Sequence, residues 1–445
     1  MRWVVSVIIL AFWAAPALAD YEAAARYSAA YRGISMVVLV DGQAVFENYP
    51  NGGSATQRNP LSSGTRSFMG LIAAAAVQDG LLDLDEPVSQ TFPAWVGTPR
   101  ENITVRQLLN LTSGLTPVGN SLRPPTYAAA LRARYGETPG ETFNYDETPY
   151  QIFGALIARK LEGHSPAAYF YERVLQPFGI EMGRWRRGSD DSPIMSQGAR
   201  LSAREWAVIG QLILDRGQLN GEPMLSPEAF EEMFQGSTVN PAYGLGIWLA
   251  RPVDPTFAAA TPPLSSTDFW QGSDALPSDL VLAAGAGDQR LYISWERNMV
   301  VVRQAEGIGA ALRGDRLSWS DVDFWRMLNA PTGEAPSDIT SQLPAGLALN
   351  AGQNTSQPRR TFTPTLQAQP PRQPRATPAA PIPQNPNAMA TEIPDVFRQT
   401  PNAVDDATLD MGPSLEEPPA EDVPAEEEDA VVEEDEEGEF IGPSF

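Results

Sequence analysis

Up to about residue 330 the apolar positions fall into short runs whose period switches between helix and strand. Residues 20–31 are alanine-rich and read as a short helix. Ile34 to Val40 is apolar and β-branched, Asp41-Gly42 is a tight-turn signal, and Gln43 to Phe46 follow as a second strand. Arg66 to Gln78 is an apolar, alanine-rich run closed by Asp79-Gly80, where glycine suits the left-handed end of a helix. Thr104 with Gln107 forms a capping box ahead of Leu108, Leu109 and Leu111, and Ser202 with Glu205 forms another ahead of Trp206, Ile209 and Leu212. Tyr150, Phe153, Leu156, Ile157 and Leu161 recur at helical spacing. Strands return late, at 243–249, 289–295 and 299–304, the last two joined by the polar turn Glu296-Arg297-Asn298. Trp319 to Leu328 closes the pattern as an amphipathic helix. Two strands, many helices, then strands and a helix predict an α+β domain. Its antiparallel sheet is completed by both chain ends, with a mostly helical insert between.

The ends of the chain read differently. Arg2, the apolar stretch Val4 to Ala15 and the small-x-small triplet Ala17-Leu18-Ala19 before Asp20 predict a signal peptide over residues 1–19. A membrane helix needs roughly 20 apolar residues, more than this run supplies. The expected product is therefore exported, periplasmic or secreted, with no membrane span after cleavage. After Pro331 the character changes: proline and glutamine dominate from 358 to 386, and from 405 onward the chain is acidic. Such composition cannot bury enough apolar surface to offset its ordering entropy, so 331–445 is expected to be a disordered tail and 20–330 the folded domain.

Composition removes several kinds of chemistry. There is no cysteine, so disulfides and thiolate catalysis are excluded. Histidine occurs once, at His164, inside the loop-like Glu162-Gly163-His164-Ser165-Pro166, which leaves little room for a Ser-His-Asp triad or a zinc site. No cofactor is expected. The net charge is −24, and 331–445 holds 21 acidic residues against 5 arginines. Nucleic-acid binding, which needs a basic surface, is not expected. A small-molecule or peptide substrate fits the domain, and a protein partner for the acidic tail is left open.

The candidate chemistry begins at Leu61-Ser62-Ser63-Gly64-Thr65-Arg66-Ser67-Phe68. Ser63 stands at a helix start, where the helix dipole favours an alkoxide, and Arg66 follows one turn along the same face. This is the geometry of S-x-x-K with arginine for lysine. With Gln78-Asp79-Gly80-Leu81-Leu82-Asp83-Leu84-Asp85 and Leu108-Leu109-Asn110-Leu111-Thr112-Ser113-Gly114-Leu115, the segment resembles the serine β-lactamase and penicillin-binding superfamily. The likeness is to class C β-lactamases and the related esterases and D-alanyl peptidases, and it covers roughly residues 30–330.

The resemblance implies a β-lactamase/transpeptidase-like fold, a serine nucleophile at Ser63 and a Tyr-x-Asn tyrosine at Tyr145, with Glu147 in place of the asparagine. It also implies a third motif at Ala283-Ala284-Gly285, whose lysine is missing. Gly285 and Ala286 would then meet the substrate together with Glu147, and the oxyanion hole would use the N–H groups of Ser63 and about Ala286. Simpler readings exist for each: Ser63 as a helix N-cap, Tyr145 as a core tyrosine, Gly285 and Gly287 as turn residues. Arginine at 66 cannot serve as a base, since deprotonating it at pH 7 costs roughly 7 kcal/mol and general-base catalysis returns only about 3–5. Tyr145 is the better candidate, with Arg66 expected to lower its pKa. Lysine at 66 is expected to restore a base, unless the pocket is refitted around a guanidinium paired with Asp146 or Glu147. Two functions follow: serine acyl transfer or hydrolysis of an ester, amide or peptide, or a pseudoenzyme that binds a cell-wall peptide or protein partner. A third makes the tail the functional part and the domain its anchor.

Overall fold

The computed structural model describes residues 21–330, except 182 and 313–318, together with 336 and 339. The expected signal peptide and nearly all of the expected tail lie outside the described residues. Helix α1 (Tyr21–Ala30) leads into the hairpin β1 (Gly33–Val40) and β2 (Gln43–Asn48), as the sequence predicts. A helical region follows, with α2 (Ser67–Gln78), α3 (Val105–Leu109), α4 (Thr148–Lys160) and α5 (Ala203–Leu214) as its main members. Both expected capping boxes are formed, Thr104 with Gln107 and Ser202 with Glu205. The chain then returns through β3 (Trp248–Leu249), α6 (Pro255–Ala260), β4 (Val281–Gly285), β5 (Gln289–Ser294) and β6 (Met299–Ala305), and ends in α7 (Asp321–Asn329).

The six strands form one antiparallel sheet in the order β2-β1-β6-β5-β4-β3. The first hairpin and the last strands therefore pair directly, Val38 standing opposite Val301. Helix α5 packs on β1, β5 and β6, and α1 lies against α7. The sheet strands β4, β5 and nearly all of β6 are buried along their length, and the polar residues they carry, Gln289, Arg290, Ser294, Arg303 and Gln304, are buried with them.

One expectation changes. The strand expected over 243–249 is regular only at Trp248–Leu249. Gly246 adopts φ +85°, and a Cβ there would come within 2.2 Å of the Arg66 carbonyl, so the chain bends to pass against the start of α2. Past the expected boundary, Ile339 is 2% exposed and belongs to the main hydrophobic core.

Candidate active site

Ser62 to Arg66 form a tight 3-10 turn that runs into α2. Ser62 is buried in the left-handed region, at φ +50°, and its hydroxyl has no partner among the described residues. That sharp bend delivers Ser63, half-buried, to the head of the helix. The Ser63 side chain caps neither helical segment, so the simple capping reading does not account for it.

Strand β4 passes directly beside this turn. A Cβ on Gly285 would lie 2.2 Å from the Leu61 carbonyl oxygen and 3.1 Å from the Gly64 nitrogen. Glycine is thus required here by a close approach of two backbones, not by a bend. Ala286, half-buried, opens the three-residue turn between β4 and β5, which Gly287 (φ +72°) and Asp288 (φ +60°) complete.

Arg66 is buried, 1% exposed, and points across the site. Its Nη2 lies 3.0 Å from Glu147 Oε2 and its Nη1 donates to the Asp146 carbonyl at 2.9 Å. The guanidinium carbon sits 3.9 Å above the centroid of the Tyr145 ring. Burial opposes its charge, but Glu147 and three surrounding phenols outweigh that, and the pKa of Arg66 rises above the ordinary arginine value. It is a permanent cation.

Glu147, expected at the substrate, is 2% exposed behind Arg66. Its second oxygen accepts from Ser121 Oγ at 2.7 Å. Ser121 belongs to a loop pinned from the same side, since the Val118 N–H donates to Thr148 Oγ1 at 2.8 Å and Gln197 donates to the Ser121 carbonyl at 2.7 Å.

Tyr145 is held on the other side by aromatic rings. It stacks on Trp248 at 5.5 Å and 26°, and meets Tyr243 edge-on at 5.9 Å. Its loop is anchored by the Asn144 N–H on the Leu111 carbonyl at 3.0 Å, which gives the Leu108–Leu115 stretch its part in the site. Tyr150 donates to the Leu109 carbonyl and therefore accepts from Tyr243 across 2.7 Å. Burial raises the Tyr145 pKa, and although Arg66, the Ser63 hydroxyl and the Trp248 indole all pull it down, the balance stays above the usual tyrosine value. Arg66 lowers the Tyr145 pKa as expected, but the cation lies over the ring face and is shared with Glu147, so it does not fully offset desolvation. Asp146, next in the chain, is pushed up to about 6 by burial, against the Thr148 N–H that donates to it at 2.7 Å.

Ser63, Arg66, Tyr145, Gly285 and Ala286 therefore converge on one place, with Glu147 behind them. Sequence reasoning missed Trp248, Tyr243 and Ser121, which have no motif of their own and arrive through chain segments distant in sequence. His164 lies on the loop after α4 beside Glu172 at 3.2 Å. Among the described residues no group of His, Cys, Asp and Glu could hold a metal ion.

Comparison with known proteins gives the family and the fold. The family model described as Beta-lactamase matches residues 18–272. Protein flp of Staphylococcus aureus (strain NCTC 8325 / PS 47) is 29% identical over 167 residues, 33% of this chain and 33% of that protein. A Beta-lactamase of Yersinia enterocolitica is 26% identical over 164 residues, 34% of this chain and 41% of that one. The matched stretch thus spans well under half the length of these relatives. Among solved structures, a putative beta-lactamase from Bacteroides dorei DSM 17855 superposes with a TM-score of 0.52 at 19% identity, covering 64% of this chain and 89% of that one.

Proposed function

The chain belongs to the Beta-lactamase family, and on that footing we propose that it is an exported serine hydrolase acting on an ester, amide or peptide through an acyl-enzyme on Ser63. The observation that carries the reading is the convergence of Ser63 and Tyr145 beside a strand whose Gly285 permits backbone contact. Tyr145, as phenolate, takes the Ser63 proton while Oγ bonds to the substrate carbonyl carbon. The carbonyl oxygen becomes an oxyanion facing the N–H groups of Ser63 and Ala286. The leaving group departs with the proton returned by Tyr145, and water then hydrolyses the acyl-serine by the reverse sequence.

Arg66 orients the phenol and stabilises its ionised form but moves no proton. Ionising even an unperturbed tyrosine at pH 7 costs about 4 kcal/mol, close to the 3–5 kcal/mol that a general base contributes. Acylation is therefore slow at neutral pH and speeds up in alkali. A second reading, a binding pseudoenzyme, is favoured by one observation: the only cation at the S-x-x-K position is committed to Glu147. Intact-mass analysis after an activated ester and after a β-lactam separates the two. An adduct on Ser63 supports the hydrolase; saturable ligand binding with no adduct supports the pseudoenzyme.

A further inference from the structure

The turn between β4 and β5 is held from beneath by buried side chains. The Gly285 carbonyl lies 3.5 Å from Arg290 Nη1, the Gly287 carbonyl accepts from Gln289 Nε2 at 3.2 Å, and the Asp288 carbonyl accepts from Arg303 Nη1 at 2.5 Å. In a trans peptide the carbonyl of one residue and the N–H of the next point in opposite directions. A Gly285 carbonyl drawn down toward Arg290 thus turns the Ala286 N–H away from the core.

The two arginines are neighbours across the β5–β6 ladder but differ in company. Arg290 is paired with Asp321 at 2.8 Å. Arg303, fully buried, is satisfied by neutral groups: Ser28 Oγ at 3.1 Å, the Ser28 and Tyr31 carbonyls, the Asp288 carbonyl and the face of Trp319 at 3.9 Å. It makes no direct ion pair among the described residues. A buried cation without a directly paired anion is costly to keep, and the third motif on β4 carries no cation of its own.

We propose that Arg303 is a positioning residue of the oxyanion-binding turn: its guanidinium holds the Asp288 carbonyl, fixes the left-handed Gly287–Asp288 bend that aims the Ala286 N–H, and adds positive potential beneath the developing oxyanion. This rests on the acyl-enzyme reading above. Arginine suits the task because one rigid fork reaches the turn, α1 and the segment after it at once, which lysine cannot do.

The test uses the full chain with Arg303→Met and Arg303→Lys and three readings. These are hydrogen exchange of the 285–289 amides, affinity for phenylboronic acid, and the rate of Ser63 acylation by p-nitrophenyl acetate. Boronic acid reports the hole directly, since Ser63 Oγ bonds to boron, its proton leaves to solvent, and the boron becomes a tetrahedral anion. Arg303→Met is expected to exchange faster at 285–289 and to lose tenfold or more in both boronate affinity and acylation rate, with Arg303→Lys between it and the wild type. A folded Arg303→Met with unchanged exchange, or with unchanged boronate affinity and acylation rate, overturns the proposal. If Arg303→Met does not fold, Arg303→Lys carries the same three readings, and unchanged values there overturn it equally. Should the wild type take neither probe, the hydrolase reading fails, and exchange alone decides whether Arg303 holds the turn.

Discussion

Arg66 and Glu147 form a buried ion pair, Nη2 to Oε2 at 3.0 Å, at the two positions where the resemblance implies lysine and asparagine. The two departures are one unit. A guanidinium sealed from water is costly to keep without a paired anion, and Glu147, two residues after Tyr145, supplies one.

Removing that anion alone should be severe. Glu147→Gln leaves a buried charge unpaired and is expected to destabilise the domain by about 3–5 kcal/mol, read by chemical denaturation. A loss below about 1 kcal/mol, the scale of a surface pair, would show that the pair matters little.

Lysine at position 66 does not by itself restore a base, because Glu147 would hold its proton. Arg66→Lys is expected to change the Ser63 acylation rate by less than about threefold, whereas Arg66→Lys with Glu147→Asn lets burial depress the lysine and should raise the rate by about tenfold or more. Second-order rates with an activated ester, from pH 6 to 9, decide this. A gain in the single variant equal to that in the double would show that the carboxylate does not control residue 66.

Asp146 gives a stability signature with a definite sign. Its folded pKa, about 6, lies above the ordinary 3.8, so the folded state binds the proton more tightly. The stability this contributes is full below about pH 4 and is lost as pH rises through about 6. Asp146→Asn keeps an oxygen for the Thr148 N–H and should stabilise the protein at pH 7 by on the order of 1–2 kcal/mol while flattening the pH 4–6 region. Destabilisation at pH 7 would mean that the charged form is the favoured one.

Much of this architecture was legible in the sequence. Capping boxes and periodic stripes placed α3, α4 and α5, and the β-branched runs placed β1 and β6, which pair at the middle of the sheet. Ser63, Tyr145 and Gly285 were named from local motifs, and the structure brings them together. What stayed hidden depends on long-range packing. Trp248 reaches Tyr145 only after the chain bends at Gly246, which also shortened the expected strand. The net direction of the Tyr145 pKa depends on burial, which no spacing reveals. The domain boundary at 330 followed composition, yet one apolar residue past it, Ile339, finds a place in the core.

Truncation tests that boundary. A chain ending at Ala330 loses Ile339 and is expected to lose about 1.5–3 kcal/mol of burial, hence several degrees of melting temperature. A chain ending at residue 345 should melt with the full-length protein. Equal melting of both truncated chains would show that Ile339 adds nothing.

The central claim, that Tyr145 activates Ser63, is tested most directly by the pH profile of Ser63 adduct formation with p-nitrophenyl acetate, wild type beside Tyr145→Phe. Because the Tyr145 pKa is raised, the phenolate fraction should still be climbing past pH 9. The wild-type rate is expected to rise by about tenfold per pH unit between pH 7 and 9 with no plateau near neutrality, after correction for spontaneous hydrolysis, and Tyr145→Phe to lose the adduct while keeping its fold. A wild-type rate that plateaus at neutral pH, or a Tyr145→Phe protein that acylates as fast as the wild type, would contradict the account.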